Sequence, residues 1–287
     1  MDTIYGNITK TLKEGSLTKS IREGSISKSV IESNFYEGKL TEGGGPVYCS
    51  EFQAVYNSWT TKPSDTVAGY YNTMVETIVD GDIWIKGEFF DFFSTHTNDA
   101  SEGLVNWINP GTFNSSLLNN PTFTAYQGFL NNSTTTSRID LNFNPSTNGI
   151  GISQNNICVI MGLGTDLDEV SYDLYSGATY IIRLRSRSAN NTRSYINSSG
   201  YGTNANTNSI KHYAISRGNS ANYDLYFNLT KATNTLVSTG LCNVSLYTGG
   251  NKQTRYVSLW SYLTEAEITI VINAIETCLD SLGTGLI

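Results

Sequence analysis

The sequence is poor in charge, in histidine and in long apolar runs. Only 15% of its 287 residues are charged, against about 25% in an average protein, and only two are histidines. Two histidines cannot complete the usual structural zinc set, and no Ser/His/Asp triad can be assembled around them. Asn, Ser, Thr, Gly and Tyr fill the gap, a mix typical of β-rich proteins with neutral polar surfaces.

The net charge of −7 argues against nucleic acid as a partner, because phosphate binding usually shows as a basic patch. The richest basic stretch is IIRLRSRSANNTR. Its arginines at 183, 185 and 187 have the spacing that lines one face of a strand, and Arg193 follows. We interpret this stretch as a solvated sheet face. The composition suits contact with carbohydrate or a virion better.

The chain also lacks paired cysteines and targeting signals. Cys49, Cys158, Cys242 and Cys278 are far apart and form no CxxC motif, so buried free thiols are predicted. No apolar run has the length of a membrane span, and no charged-then-apolar signal opens the sequence. The expectation is a protein made in a cytoplasm without export and without membrane insertion.

Three nine-residue units open the chain: GNITKTLKE, GSLTKSIRE and GSISKSVIE. Glycine every nine residues argues against a helix, and short strands broken by a Gly-Ser turn are predicted. Such a unit buries too little to fold alone, so residues 1–45 are interpreted as an anchor that needs neighbours, with a disordered tail as the alternative. The apolar positions assigned to docking or oligomerisation are Ile8, Leu12, Leu17, Ile21, Ile26 and Val30.

Residues 46–115 are predicted to form a small helical and aromatic unit. Ser50 and Gln53 have the spacing of a capping box. Apolar faces with helical spacing run from Phe52 to Trp59 and from Val67 to Ile78. The aromatic stretch IWIKGEFFDFFSTH is placed in the same unit.

Residues 116–287 contain short segments of alternating apolar and polar residues, separated by turn signals, as in β-sandwiches. Near the end, TEAE at 264–267 forms a capping box, an apolar stripe follows, and Gly283 is a C-cap candidate. The prediction is an antiparallel β-sandwich with one closing helix.

Two segments of this region, ISRGNSANYDLYFNL and LTEAEITIVINAIETCLDSLG, resemble the concanavalin A-like (laminin G-like) jelly-roll sandwich of bacteriophage virion proteins. The sequence departs from the family pattern at Leu229, which follows Asn228 where glycine is usual. The resemblance implies a sandwich often used for glycan binding, and a virion protein assembled in a bacterial cytoplasm.

On that resemblance, the chain is expected to be a fibre or spike on the head or tail. Residues 1–45 would dock it to other virion proteins as a homo-oligomer, a trimer by analogy, and the sandwich head would bind host surface polysaccharide. Two alternatives stay open: an architectural capsid or tail decoration protein without glycan binding, and, less favoured, a glycan depolymerase.

Glycan binding requires aromatic platforms with polar groups beside them. The loop YINSSGYGTNANTNSIKHY offers Tyr195, Tyr201, Asn204 and Tyr213, with a plain connecting loop as the alternative.

A glycosidase needs two carboxyl groups. The nearest match to an E-x-D-x-E strand is DLDE at 166–169, which departs from it, and Glu88 and Asp91 form a second acidic pair. We therefore predict no enzyme and no cofactor. A calcium site at Asp166, Asp168 and Asp173 is kept as the alternative.

Overall fold

A computed structural model describes residues 46–131, 137–177 and 181–287, together with the backbone of two short strands, β1 (Leu12–Glu14) and β2 (Leu17–Lys19). The chain divides into two compact units, residues 1–47 and 48–287. In the first unit β1 and β2 pair in antiparallel fashion, as predicted for short strands within the repeats. Leu12 and Leu17 lie on these strands. The other predicted docking residues, Ile8, Ile21, Ile26 and Val30, lie outside the described residues.

Two antiparallel sheets form the second unit. The first has the order β12-β11-β10-β9-β16-β7-β4. Its strands are β4 (Ser116–Leu118), β7 (Arg138–Asp140), β9 (Leu174–Ser176), β10 (Ile181–Ser188), β11 (Asn191–Ser198), β12 (Gly202–Ala205) and β16 (Leu246–Thr248). We call it the seven-stranded sheet.

The eight-stranded sheet has the order β15-β14-β13-β8-β17-β6-β5, and β3 also pairs with β17. Its strands are β3 (Gly87–Phe92), β5 (Thr122–Thr124), β6 (Gly128–Leu130), β8 (Ile157–Leu163), β13 (Lys211–Arg217), β14 (Asn222–Phe227), β15 (Thr230–Thr235) and β17 (Gln253–Trp260). The predicted fold class, a mainly β protein with an antiparallel sandwich, is confirmed.

One core fills the space between the two sheets. Leu184 and Ile196 from the seven-stranded sheet join Val159, Ile215 and Val257 from the eight-stranded sheet, and all are buried. Burying each such side chain stabilises the fold by roughly 1.5–3 kcal/mol. Side chains alternate along a strand, so in the seven-stranded sheet the residues next to those that face this core point to the outer face of the sheet.

The helices cover the other face of the eight-stranded sheet. They are α1 (Ser50–Ser58), α2 (Asp65–Asp80) and α4 (Glu265–Ser281), with the one-turn helix α3 (Pro145–Asn148) elsewhere. A second core, which includes Phe52, Tyr71, Trp260 and Ile272, joins helices and sheet. No helix in the described part of the chain is long and apolar enough to cross a membrane.

The helix ends test the capping predictions. At α4 both hydrogen bonds of the capping box between Thr264 and Glu267 are present, and Gly283 has φ +74°. At α1 the predicted capping box is wrong. The helix begins at Ser50, so Cys49 is the N-cap residue and makes no side-chain cap. The Ser50 hydroxyl instead bonds the carboxylate of Glu51.

The aromatic stretch after α2 is a strand, not part of a helical unit. GEFFDF forms β3, whose residues pair with β17. Phe90 and Phe92 face the helix core, and Phe89 faces the core between the sheets. Burial on both faces removes the apolar–polar alternation that marks most strands. Residues 48–287 form one compact unit, and the predicted division of this part of the chain near residue 115 stays a prediction.

The cysteines are free, as predicted. Cys158, Cys242 and Cys278 are buried, whereas Cys49 is half-buried.

Candidate functional site

Strand alternation places a set of tyrosines and arginines on the outer face of the seven-stranded sheet. Leu184 faces the core, so Arg183 and Arg185 point outward from β10. On β11, Tyr195 lies directly opposite Arg183, and Arg193 lies opposite Arg185. The prediction that these arginines line one face of a strand is confirmed.

Five tyrosine rings form a continuous row across this face. The distances between ring centres are 4.9 Å for Tyr247 and Tyr175, 5.3 Å for Tyr175 and Tyr172, 6.3 Å for Tyr172 and Tyr195, and 5.2 Å for Tyr195 and Tyr201. Tyr247 comes from β16 and Tyr175 from β9, which pair with each other in the sheet. The row therefore crosses the strands instead of following one.

Four arginines interleave with the row. Each guanidinium carbon lies 4.2–5.1 Å from a tyrosine ring centre, a distance typical of cation–π contacts. The pairs are Arg183 with Tyr175, Arg138 with Tyr247, Arg185 with Tyr172, and Arg193 with Tyr201. We call the five tyrosines of the row and these four arginines the Tyr–Arg face.

A cavity of about 560 Å³ lies at the Tyr247 end of this face. That volume is within the range of small-molecule sites, roughly 300–1,000 Å³. Its lining residues are Arg138, Val170, Ser171, Tyr172, Tyr175, Tyr247, Gly249 and Gly250.

The loop beside the cavity is fixed by a buried ion cluster. The Nζ of Lys252 is fully buried and lies 3.2 Å from carboxylate oxygens of both Glu169 and Asp173. The side-chain nitrogen of Asn251 also donates to Glu169, at 2.7 Å. Gly250 has φ +79°, a backbone conformation that favours glycine. The cavity wall formed by Gly249 and Gly250 is therefore held in place by the residues that follow it.

The hydroxyl groups of two tyrosines in the row, Tyr172 and Tyr195, have pKa values shifted in opposite directions. Burial opposes ionisation of Tyr172, but the neighbouring hydroxyl of Tyr195 and the charges of Arg185 and Arg183 outweigh it and lower the pKa of Tyr172. Burial, followed by the neighbouring Tyr172, raises the pKa of Tyr195 to about 12.

The structure brings together two of the four residues predicted to bind glycan. Tyr195 and Tyr201 both belong to the Tyr–Arg face, but only Tyr201, at 46% exposed, is open to solvent, because Tyr195 is 7% exposed. Asn204 lies opposite Thr192, which is buried, so it faces away from the row. Tyr213 is on β13 in the other sheet and is 1% exposed, so a sugar cannot reach it.

The sequence prediction missed Tyr172, Tyr175, Tyr247 and Arg138. A signal was present for two of them. In the strands LYS and LYT a buried leucine precedes the tyrosine, so alternation places the tyrosine outward once the core face is known.

The predicted metal ligands are engaged with other groups. Asp166 accepts two hydrogen bonds from Arg187, at 2.9 and 3.0 Å. Asp168 accepts from the backbone nitrogens of Ala189 and Asn190, between β10 and β11. Asp173 belongs to the Lys252 cluster. Among the residues that the structure describes, no group of three or more side chains is arranged to hold a metal ion, so calcium stays a prediction that they do not support.

The second acidic pair, Glu88 and Asp91, lies on β3, and its two carboxyl groups point in different directions. Glu88 lies at the surface and accepts from the backbone nitrogens of Ile150 and Gly151. Asp91 is fully buried on β3 and bonds the hydroxyl of Ser115. Residues three apart on a strand point to opposite faces. These carboxyl groups therefore do not form the pair that the sequence suggested.

No protein-family model matches the chain, and no curated protein matches it either. Solved structures do match. A mutant of Trypanosoma rangeli sialidase displaying trans-sialidase activity aligns with TM-score 0.50 and 11% identity, over 74% of this chain and 39% of that one. The binding domain of botulinum neurotoxin DC in complex with SialylT aligns with TM-score 0.50 and 11% identity, over 67% and 52%.

The binding domain of botulinum neurotoxin serotype D aligns with TM-score 0.49 and 14% identity, over 67% of this chain and 52% of that one. The chain thus spans about half of the neurotoxin binding domains and less of the sialidase. At such identities the likeness concerns the fold alone. This chain is a mainly β protein whose two antiparallel sheets form a sandwich.

Proposed function

We propose that the sandwich is a glycan-binding head and that the Tyr–Arg face is its binding surface. The observation that carries the proposal is the continuous row of five tyrosines beside a cavity of about 560 Å³. Sugar rings pack their C–H faces on aromatic rings, while hydroxyl and guanidinium groups bond the sugar hydroxyls. One structure of similar fold, a botulinum neurotoxin binding domain, was solved in complex with SialylT, which supports the proposal.

The proposed activity is binding without cleavage. Glycoside hydrolysis needs two carboxyl groups roughly 5–10 Å apart that flank the scissile bond. The candidate acids are committed elsewhere: Asp166 pairs with Arg187, and Glu88 and Asp91 lie on opposite faces of β3. Because one structure of similar fold is a sialidase, a depolymerase stays the alternative. The binding experiment tests it at the same time.

The place of this head is proposed to be a bacteriophage fibre or spike, assembled in the host cytoplasm and docked through residues 1–45 as a homotrimer. The nine-residue repeats support an element that needs neighbours, and β1, at the end of the first unit, pairs with β2, in the second unit. The phage setting rests on the resemblance of the sandwich segments. An architectural decoration protein is the competing proposal, and it predicts no glycan binding.

The test is binding of the purified full-length protein to surface polysaccharides from candidate bacterial hosts, with reducing ends assayed in the same tubes. Saturable binding without new reducing ends is the expected result. New reducing ends would overturn the non-enzymatic proposal. Absence of binding to every host polysaccharide would favour the architectural role.

A further inference from the structure

We infer that the glycan recognised by the Tyr–Arg face is acidic, with a carboxylate or sulfate group that the arginines bind. This inference rests on the proposed glycan-binding function and specifies the class of sugar. It comes from the way in which the arginines of this face are paired.

Arg187 shows what a neutralised arginine on this sheet looks like. It points outward from β10, two residues beyond Arg185, and lies 2.9 Å from Asp166 and 3.6 Å from Asp168. The two carboxylates more than balance its charge.

The neighbouring arginines have no such partner. Among the described residues, no carboxylate forms an ion pair with Arg183, Arg185 or Arg193. Arg183 donates to the Ser176 carbonyl and the Tyr175 hydroxyl, both neutral groups. The Nε atoms of Arg185 and Arg193 are buried and make no hydrogen bond within the described residues.

The chain has a net charge of −7, yet on this face three described arginines form no ion pair with a carboxylate of the described residues. The carboxylate of Asp140, 2.8 Å from Arg138, lies at the Tyr247 end of the face and leaves the other three arginines uncompensated. The tyrosine rings contact the guanidinium groups without neutralising them. The face therefore presents a localised positive field that no carboxylate of the described residues neutralises.

A guanidinium binds carboxylate or sulfate through two parallel N–H···O bonds, and such charge-assisted bonds are about twice as strong as neutral ones. The tyrosines beside it would hold the sugar ring. A nucleic acid would also use arginine and aromatic groups, but the acidic charge of the chain disfavours a phosphate backbone. Nucleic acid is therefore one outcome of the test and not the proposal.

The test measures binding of the full chain to matched pairs of glycans by calorimetry, at low and at physiological salt. The first pair is a galacturonate oligosaccharide with its methyl ester, and the second is a sulfated galactan with its desulfated form. The third is any host polysaccharide that binds in the test proposed above, with its carboxyl-reduced form. A single-stranded oligonucleotide completes the set. We expect an acidic member to bind at least about tenfold more tightly than its neutral partner, with the preference reduced by salt.

Two variants connect this preference to the face. Arg185→Gln and Arg193→Gln should each weaken binding of the acidic member about tenfold and weaken binding of its neutral partner less, so that the preference for the acidic member falls. The matched control is Arg187→Gln, which removes the same charge from the same sheet face. It should change the affinity for the acidic and neutral glycans little.

The outcomes separate this inference from the function beneath it. If neutral and acidic members bind equally well, the inference is wrong while glycan binding stands. If the protein binds none of the glycans, the proposed function itself fails. Binding to the oligonucleotide alone would overturn both.

Discussion

The guanidinium of Arg183 lies 4.2 Å from the ring centre of Tyr175 and donates a 3.1 Å hydrogen bond to its hydroxyl. The same side chain donates to the Ser176 carbonyl, so both residues are fixed before any ligand arrives. Binding groups that are already in place avoid the entropy cost of ordering side chains. This pair therefore forms a rigid centre for the Tyr–Arg face.

Replacing Arg183 with lysine should loosen that centre. Lysine keeps the charge but lacks the planar group that stacks on Tyr175 and bonds Ser176 at the same time. We expect Arg183→Lys to weaken glycan binding about tenfold, while the melting temperature stays within a few degrees of wild type. Calorimetric titration checks this, with Arg187→Lys as the control. Unchanged affinity in Arg183→Lys would show that rigid placement of this group is unimportant.

Arg217 should be the arginine on which the fold depends most. It is fully buried, and its guanidinium donates to carbonyl oxygens of Ile196 on β11 and of Leu236 beyond β15, among others. Removal of a buried cation's hydrogen bonds leaves these carbonyls unsatisfied. We expect Arg217→Met to lower the free energy of unfolding by about 2–5 kcal/mol in urea titrations. A loss below about 0.5 kcal/mol would contradict this role.

Acid should destabilise the end of the chain through Glu276. Its carboxylate lies 2.8 Å from His212 and accepts the backbone N–H groups of Leu286 and Ile287. Burial opposes its ionisation, but these hydrogen bonds and the histidine charge lower its pKa below the usual 4.5. A lowered folded-state pKa contributes stability above the unfolded-state value, and that stability is lost as the pH falls through the folded-state value.

Glu276→Gln should therefore cost about 1–3 kcal/mol at pH 7 and reduce the loss of stability between pH 5 and pH 3. Denaturant titrations across that range measure both effects. A variant whose stability falls with acid as steeply as that of wild type would exclude Glu276 as the cause.

Asp91 should give the opposite pH dependence to Glu276, because its carboxyl group lowers stability as the pH rises. Its complete burial raises its pKa well above the usual 3.8, and the hydrogen bond from Ser115 offsets this only in part. A raised folded-state pKa means that stability is lost as the pH rises above the unfolded-state value. We expect Asp91→Asn to be as stable as wild type or more stable at pH 7, with a smaller decline from pH 4 to pH 7. A strongly destabilised variant would show that the charged carboxylate is needed.

The boundary of the head should be near residue 46. Residues 48–287 form their own compact unit, with both cores inside it. A chain that lacks residues 1–45 is expected to fold, to bind the same glycan with unchanged affinity, and to lose any oligomer seen for the full chain. Light scattering and calorimetry check these points. An oligomer that survives the truncation would place the assembly contacts in the head.

The elements that the sequence predicted well are those specified by local patterns. The α4 helix has its capping box, apolar stripe and terminal glycine within one short segment, so nothing distant is needed to recognise it. The strand β3 is different, because both of its faces are buried and GEFFDF carries no alternation. Only the pairing with β17, far away in the sequence, makes it a strand.

The candidate site could be predicted in part for the same reason. Tyr195 and the outward arginines share neighbouring strands, so one sequence window contains them. Tyr175 and Tyr247 meet only because β9 pairs with β16. Tyr213 shows the limit of the pattern, since its strand alternates as clearly but belongs to the sheet whose two faces are both covered.

The most direct test of the central claim compares wild type with the double variant Tyr175→Ala/Tyr247→Ala on the host polysaccharide that wild type binds. Both rings lie on the outer face, so the variant should fold normally, as checked by its melting temperature, with Tyr70→Ala on α2 as the control. The claim predicts that the double variant loses about 100-fold or more in affinity while the control keeps it. Equal affinity in wild type and double variant would contradict the claim and locate the binding surface elsewhere.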